Sequence, residues 1–165
     1  MAALPEAAQQ GVFPPLTAEN LEKKVFSLPG DFAGEYNLLL ITFESDQQRE
    51  ADSWLEALPD LLKGQSGISC YEISVASKEY KLARFVLNRA MRYEMKKQEQ
   101  RERTFPVYID KAPFDKSLGI SSEERSTIVL VDKKGNVVWR ENGLYYDIKG
   151  NAFKAALAKL KTAPK

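Results

Sequence analysis

The feature that most constrains this chain is a run of seven residues, Asn37–Phe43 (NLLLITF), that is apolar at nearly every position. A strand with one face in water alternates apolar and polar residues, whereas an uninterrupted apolar run is typical of a strand buried on both faces of a sheet. The run therefore predicts a central strand in an α/β protein.

A helix is predicted directly after this strand, over Gln47–Lys63. Its apolar residues recur at the spacing of one helical face, and they are Ala51, Trp54, Leu55, Leu58, Leu61 and Leu62. Pro59 lies within the pattern and is expected to kink the helix, because proline lacks the amide hydrogen that the helix ladder needs. Trp54 falls on the apolar stripe and is expected to anchor the core beneath the helix, with a role in ligand binding as the alternative.

Strand and helix patterns alternate through the rest of the chain. The predicted elements before the short helix are an N-terminal hairpin within Val12–Leu28, a strand Ile68–Val75, a helix over about Glu79–Gln100 and a strand Phe105–Ile109. The helix over Glu79–Gln100 carries Ala83, Val86, Leu87, Ala90 and Met91 on one face. A short helix Ala112–Leu118 closed by Gly119, a hairpin Thr127–Arg140 that turns at Gly135, and a helix from Asn151 follow. This order predicts one α/β domain over residues 1–165, with a mixed sheet flanked by helices. Its core is expected over about 13–161, with tails at 1–12 and 162–165.

Composition removes several function classes. Lys and Arg number 24 against 23 Asp and Glu, and a net charge of +1 argues against a nucleic-acid binder. With no histidine and one cysteine, the chain lacks the residues for Ser-His-Asp or Cys-His catalysis, most zinc sites and an internal disulfide. Glu44 and Asp46 alone make a poor metal cage, so we expect neither a metal nor another cofactor.

No apolar run approaches the length of a membrane span, which is about 20 residues. The first residues, MAALPEAAQQGVFPP, have no basic start and no apolar centre, so we expect no secretory signal in the sequence as given. The compartment stays open, and an extracytoplasmic location is expected if a leader has been removed.

Two stretches resemble a known group of proteins. FPPLTAENLEKKVFSLPGDFAGEYNLLLITF resembles the beginning of peroxiredoxin and TlpA-type thioredoxin-like proteins, and FPVYIDKAPFDKSLGI followed by RSTIVLVDKKGNVVWRENG resembles their second half. The likeness runs from about Phe13 to Leu160. It implies a thioredoxin-like fold with an N-terminal β-hairpin extension.

The chain departs from that group where its chemistry resides. Thioredoxin-like redox proteins carry CxxC in the first turn of the helix after the central strand, where the helix dipole lowers the thiol pKa. Depending on the register, those positions are Gln48 and Ala51 or Ala51 and Trp54 here, and Ser126 stands where the group has a cis-proline. The resemblance therefore implies a member without dithiol chemistry.

Cysteine-free thioredoxin-like proteins are known, and NLLLITFESDQQREADSW and MRYEMKKQEQRERTFPVYID resemble the family of the mitochondrial F-type ATP synthase assembly factor and its bacterial relatives. That resemblance implies a protein-binding or assembly role, with a protein partner such as a subunit of a membrane complex and without redox turnover. The alternative is a redoxin-superfamily peroxidase or thiol enzyme that uses Cys70. Cys70 lies in the middle of a predicted strand, where a buried thiol is a poor nucleophile.

The candidate binding site is the face where the redox centre would lie. It combines residues at the predicted helix start with residues before the terminal hairpin, namely Ser45, Asp46, Gln47, Gln48, Arg49, Arg125, Ser126 and Thr127. Helix-terminal amides and a nearby arginine suit an anion such as a peptide carboxylate. The alternative is that Ser45 or Asp46 merely caps the helix.

Two further features have both a functional and an ordinary interpretation. A basic run with interleaved glutamates comprises Arg84, Arg89, Arg92, Lys96, Lys97, Arg101 and Arg103. It suits an anionic partner or lipid headgroups, but mixed charges are also usual on a solvated helix face, which we favour. Trp139 and Tyr145–Tyr146 would form either an exposed aromatic patch or ordinary packing at the hairpin end.

Overall fold

The computed structural model describes residues 11–162, so the termini at 1–10 and 163–165, which include most of the expected tails, lie outside the described residues. The elements are β1 Leu16–Glu19, β2 Val25–Leu28, β3 Tyr36–Thr42, α1 Gln48–Leu61, β4 Ile68–Ser77, α2 Arg84–Glu94, α3 Gln98–Glu102, β5 Thr104–Ile109, α4 Lys111–Leu118, β6 Thr127–Asp132, β7 Val137–Asn142 and α5 Asp147–Thr162. Short 3₁₀ turns at Ser45–Gln47 and Lys78–Ala83 lead into α1 and α2.

The five-stranded sheet has the order β5-β4-β3-β6-β7, with the apolar strand at its centre. β3 runs parallel to β4 and antiparallel to β6, so the predicted mixed sheet is confirmed. The predicted N-terminal hairpin is also confirmed, as β1 and β2 pair antiparallel in a separate two-stranded sheet.

Two cores explain why β3 is apolar on both faces. Leu38 and Leu40 pack with Trp54 on the side covered by α1 and α5. Leu39 and Ile41 pack on the opposite side with a core that includes Phe114 of α4. Alternate residues of a strand point to opposite faces, so each core takes every second side chain of the run.

The predicted turns are confirmed. Gly135 has a φ of 89° and donates from its amide to the Asp132 carbonyl, while an Asp132 carboxylate oxygen accepts from the amides of Lys134 and Asn136. Gly119 follows α4 with a φ of 70°, the left-handed conformation expected of a glycine after a helix. α1 continues through Pro59 and ends two residues later.

The prediction of one continuous helix over Glu79–Gln100 is wrong. The segment is a 3₁₀ turn followed by α2 and α3, and α2 buries no residue, with Val86 73% exposed. The Arg101 guanidinium donates to the Met95 and Lys96 carbonyls at 2.8 and 3.0 Å. These bonds satisfy carbonyls that would otherwise continue the helix ladder, which gives the break a physical cause.

The last helix begins at Asp147, four residues before the predicted start at Asn151. In the sequence, Gly150 argues against a helix at this point. In the structure, the first turn of the helix requires glycine at this position. A Cβ on Gly150 would lie 2.1 Å from the hydroxyl oxygen of Tyr145, so only glycine lets that ring lie against the first turn.

Candidate functional site

The candidate site lies at the carboxyl end of β3, where the chain passes through the Ser45–Gln47 turn into α1. The loop that precedes β6 lies against it, because β6 pairs antiparallel with β3 and Thr127 stands opposite Ile41. The two segments that sequence reasoning combined are therefore neighbours in the structure.

Gln47 joins the two segments. Its side chain is buried, and its Oε1 accepts from the Phe43 amide at 2.8 Å. Its Nε2 donates to the carbonyl of Glu123 at 2.7 Å. One side chain thus ties the end of β3 to the loop before β6.

Glu50 makes the second tie, and sequence reasoning missed it. The carboxylate is buried in the first turn of α1, and its Oε1 accepts from the Ser126 amide at 3.0 Å. Its Oε2 lies 3.8 Å from a guanidinium nitrogen of Arg125. Its position four residues before Trp54 could have revealed it, since residues at that spacing share a helical face.

The predicted site residues divide into an exposed and a buried set. The exposed residues are Ser45, Asp46, Arg49 and Arg125; the buried residues are Gln47, Ser126 and Thr127, and Gln48 is half-buried. The hydroxyl of Thr127 accepts from the Asn142 side chain at 3.3 Å.

The alternative that Ser45 or Asp46 caps α1 is wrong. The residue that precedes the helix is Gln47, which has helical backbone angles and makes no side-chain bond to the helix amides. The 3₁₀ turn occupies Ser45 and Asp46, so the helix start lies too far along the chain for either to be its cap.

A second buried carboxylate, Glu72 on β4, was also missed. It accepts from Gln48 Nε2 at 2.8 Å, from Gln100 Nε2 at 3.0 Å and from the Thr104 hydroxyl at 3.3 Å. Burial raises the pKa of the Glu72 carboxyl and the charge of Asp52 adds to the rise, while the bonds from Gln48, Gln100 and Thr104 oppose it. The group connects α1 to α3 and β5.

Glu72 lies at the edge of an open groove of about 910 Å³ between α1, β4 and α3. Leu55, Leu58 and Leu62 of the α1 region line one side, and Gln100 and Arg103 line the other. The groove exists because β5 pairs with β4 only from Glu72 onward, which leaves the first four residues of β4 without a neighbour on that side.

Asp115 and Glu123 form a pair of interacting carboxylates, and Glu123 belongs to the loop that Gln47 contacts. Lys111 Nζ is 2.8 Å from Glu123 Oε2. Burial, followed by the hydrogen bond and the charge of Glu123, raises the pKa of Asp115 to about 7, and the charge of Lys111 opposes the rise. The charge of this corner of the molecule therefore changes near neutral pH.

Cys70 lies away from the site. It faces the core from β4 opposite Leu38, four residues before the end of β3, which is roughly 13 Å along the strand. Burial raises the pKa of the Cys70 thiol, the charge of Glu72 raises it further, and Arg103 opposes the rise. Very little nucleophilic thiolate exists at neutral pH.

The aromatic residues at the hairpin end are mostly core. Trp54 is fully buried, and its Nε1 donates to the Gly143 carbonyl at 2.9 Å. Its ring meets those of Trp139 and Tyr145 edge-on, at centroid distances of 6.0 and 5.1 Å. The predicted core role of Trp54 is confirmed, and only Tyr146 is largely exposed.

No family model matches the sequence, and no curated protein matches it. Solved structures do match. The thioredoxin domain of a thiol-disulfide oxidoreductase from Bacteroides vulgatus is 22% identical, with a TM-score of 0.56, over 90% of this chain and 96% of that one. The fold is thioredoxin-like.

Two further structures agree. BsSco, a member of the Sco family of cytochrome c oxidase assembly proteins, is 20% identical with a TM-score of 0.52, over 90% of this chain and 95% of that one. A thiol:disulfide interchange protein DsbE from Chlorobium tepidum is 14% identical with a TM-score of 0.56, over 91% and 95%. The thioredoxin-like neighbours are redox and assembly proteins, whereas this chain has a single cysteine and no CxxC.

Within residues 11–162, no helix has both the length and the apolar character needed to cross a membrane. The same residues contain no group of three or more acidic, cysteine or histidine side chains placed to hold a metal ion.

Proposed function

We propose that this protein is a thioredoxin-fold binding module that holds a polypeptide partner without redox chemistry. The partner would bind at the exposed residues Ser45, Asp46, Arg49 and Arg125, which we call the α1–β6 face. The observation that carries this proposal is that buried side chains fix the face from beneath, through the bonds of Gln47 to Glu123 and of Glu50 to Ser126.

The residues at the positions where thioredoxin-like redox proteins carry cysteines, Gln48, Ala51 and Trp54, have structural roles in this chain. Gln48 donates to Glu72 and Asp52, and the side chains of Ala51 and Trp54 are fully buried. Both registers include Ala51, so in either one at least one of the two positions lies in the core. These contacts support a role for the face in recognition rather than in electron transfer.

A surface that is already ordered loses less conformational entropy when a partner binds. Arg125 is 68% exposed, and its guanidinium lies 3.8 Å from Glu50, beyond hydrogen-bond distance. A guanidinium has five N–H donors in a fixed plane, so Arg125 can donate to an acidic or carbonyl group of the partner. A polypeptide fits the α1–β6 face if it presents an acidic or carbonyl group to Arg125 and an uncharged hydrogen-bond donor to Asp46.

The assembly role is an extension of this proposal. One neighbour belongs to a family of cytochrome c oxidase assembly proteins, and the sequence resembles the ATP synthase assembly-factor family. Both likenesses favour a subunit of a membrane complex as the partner.

Affinity capture from solubilised membranes and soluble extract of the source cells tests the proposal. We expect a specific protein to be retained by the wild-type chain and by Lys154→Glu, a charge reversal at an exposed position of α5, and to be reduced at least tenfold by Arg125→Glu. Equal retention by Arg125→Glu would contradict the assignment of the face.

The thiol-enzyme alternative has its own test. Because Cys70 is buried and its pKa is raised, we expect no hydrogen-peroxide consumption above that of Cys70→Ser. Consumption that disappears in Cys70→Ser would replace the binding proposal with a peroxidase.

A further inference from the structure

The exposed apolar side chains of this protein are concentrated in one segment. Among residues 11–162, ten large hydrophobic side chains are exposed, and six of them lie between Tyr80 and Tyr93. They are Tyr80, Leu82, Phe85, Val86, Leu87 and Tyr93. We call the segment Lys78–Lys97, which contains α2 and its 3₁₀ turn, the α2 arm.

The apolar stripe of the α2 arm faces away from the protein. Asn88 marks the inner side of α2, since its Oδ1 accepts from the Tyr108 hydroxyl at 2.6 Å. Val86 and Tyr93 lie seven residues apart, so they share a face on the other side of the helix. Leu82, Phe85 and Val86 are 97%, 74% and 73% exposed. Nothing within the described chain covers this stripe.

The same segment holds an excess of positive charge. The α2 arm contains seven Lys and Arg against two Glu, a net charge of +5, whereas the whole chain carries only +1. The remaining 145 residues therefore carry −4. Two of the arm's cations lie against its aromatic rings, Arg84 over Phe85 at 4.9 Å and Lys96 over Tyr93 at 4.2 Å.

A small basic pocket of about 380 Å³ adjoins the stripe. Its lining is Arg89, Arg92, Tyr93, Met95, Lys96 and Arg101. Glu22 lies within 4 Å of both Arg92 and Arg101 and partly balances their charge. Among the described residues, Arg89 and Lys96 have no carboxylate within that distance, so two cations of the pocket are available to an anionic ligand.

We propose that the α2 arm binds the surface of a lipid bilayer that contains anionic lipids. The apolar stripe inserts at the level of the headgroups, and Arg89 and Lys96 contact lipid phosphates. A helix with exposed aromatic and aliphatic residues on one side and basic residues around them is typical of helices that lie in the plane of a membrane interface. The contact is peripheral and does not span the bilayer.

Charge favours an anionic bilayer over a second copy of the chain as the partner of the α2 arm. Two α2 arms brought face to face would each present +5, and like charges across an interface oppose association. An anionic bilayer reverses the sign of that interaction and also offers an apolar layer for Phe85 and Val86.

Sedimentation of the full-length chain with vesicles tests the proposal. We expect binding to vesicles in which roughly one lipid in three is phosphatidylglycerol, weak binding to pure phosphatidylcholine, and loss of binding as salt is added. Phe85→Glu with Val86→Glu is expected to abolish binding. Arg89→Gln with Lys96→Gln is expected to weaken binding roughly 25-fold, since each of the two basic side chains near such a surface contributes about a fivefold factor.

Matched controls separate this surface from general stickiness. Val25→Glu and Ile148→Glu place the same charge on exposed apolar positions outside the arm and should bind like the wild type. Absence of binding to anionic vesicles, or equal loss in the control pair, would overturn the proposal. So would a wild-type dimer in light scattering that Val86→Glu converts to monomer, because the stripe would then be a protein interface.

Discussion

Helices α1 and α2 have the same kind of amphipathic pattern and opposite surroundings. In α1 the stripe that contains Ala51, Trp54 and Leu61 is buried against the sheet. In α2 the equivalent stripe contains Val86 and Leu87 and is exposed. The comparison teaches that periodicity identifies a helix with one apolar face but does not say what covers that face.

The polar contacts of the two helices differ in the same way. α1 is tied at its first turns by Glu50 and Gln48, whose bonds to Ser126 and Glu72 orient its apolar face toward the sheet. α2 has a single side-chain bond to the sheet, from Tyr108 to Asn88, within the described residues. That bond lies on the side opposite the stripe and orients the stripe outward.

The largest expected difference is between two aromatic residues. Trp54→Ala should lower the free energy of unfolding by about 3–5 kcal/mol, because it empties a fully buried site and removes the bond to Gly143. Phe85→Ala should change it by no more than about 0.5 kcal/mol, because the ring is exposed. Urea unfolding measures both, and a large loss for Phe85→Ala would show that the stripe is covered in solution.

Two glutamates give the next comparison. Glu50→Ala should cost about 1–3 kcal/mol of unfolding free energy, because it leaves the buried Ser126 amide without an acceptor. Glu94→Ala, at the exposed end of α2, should cost no more than about 0.5 kcal/mol. If the two substitutions lowered the unfolding free energy equally in urea, α1 would be no more firmly anchored to the protein than α2.

A pH-dependent effect is expected at the carboxylate pair beside the site. The pKa of Asp115 is about 7 in the folded protein and about 4 in the unfolded chain, so ionisation is disfavoured by folding. Asp115→Asn should therefore match the wild type below about pH 4, gain stability as the pH rises, and reach its full advantage above about pH 7. Partial exposure limits that advantage to about 1 kcal/mol. Unfolding free energies measured across this range check the profile, with the exposed Asp60→Asn as control.

The smallest expected effect concerns the bond that orients α2. Tyr108→Phe removes the hydroxyl that donates a hydrogen bond to Asn88 Oδ1. The substitution should lower the global unfolding free energy by only about 0.5 kcal/mol. Hydrogen exchange should nevertheless become faster in the amides of α2 and stay unchanged in those of α1. Tyr146→Phe, which alters an exposed hydroxyl, serves as the control.

The sequence predicts the fold well where local pattern and burial agree. The run at Asn37–Phe43 coincides to within one residue with the central strand Tyr36–Thr42, and Gly119 and Gly135 adopt the left-handed conformations that their turns need. It also locates the candidate face, because β3, α1 and the loop before β6 have a fixed relation in this topology.

Prediction fails where a distant side chain decides the local structure. Arg101 ends the helix that periodicity extends to Gln100, and the ring of Tyr145 requires Gly150 inside α5. Glu50 and Glu72 were missed because a glutamate in an amphipathic pattern is ordinarily solvated. Their donors, Ser126 and Gln100, are 76 and 28 residues away along the chain.

The burial of Cys70 as the single thiol has a consequence for where this protein can fold. A dithiol relative exists in an oxidised and a reduced form, and the stability of each depends on the redox potential around it. With one sulfhydryl, enclosed between β3 and the α1 side of the sheet, this chain has no such pair of forms. Its folding therefore requires no intrachain disulfide, and the formation of such a bond, a step that takes seconds to hours, does not delay it.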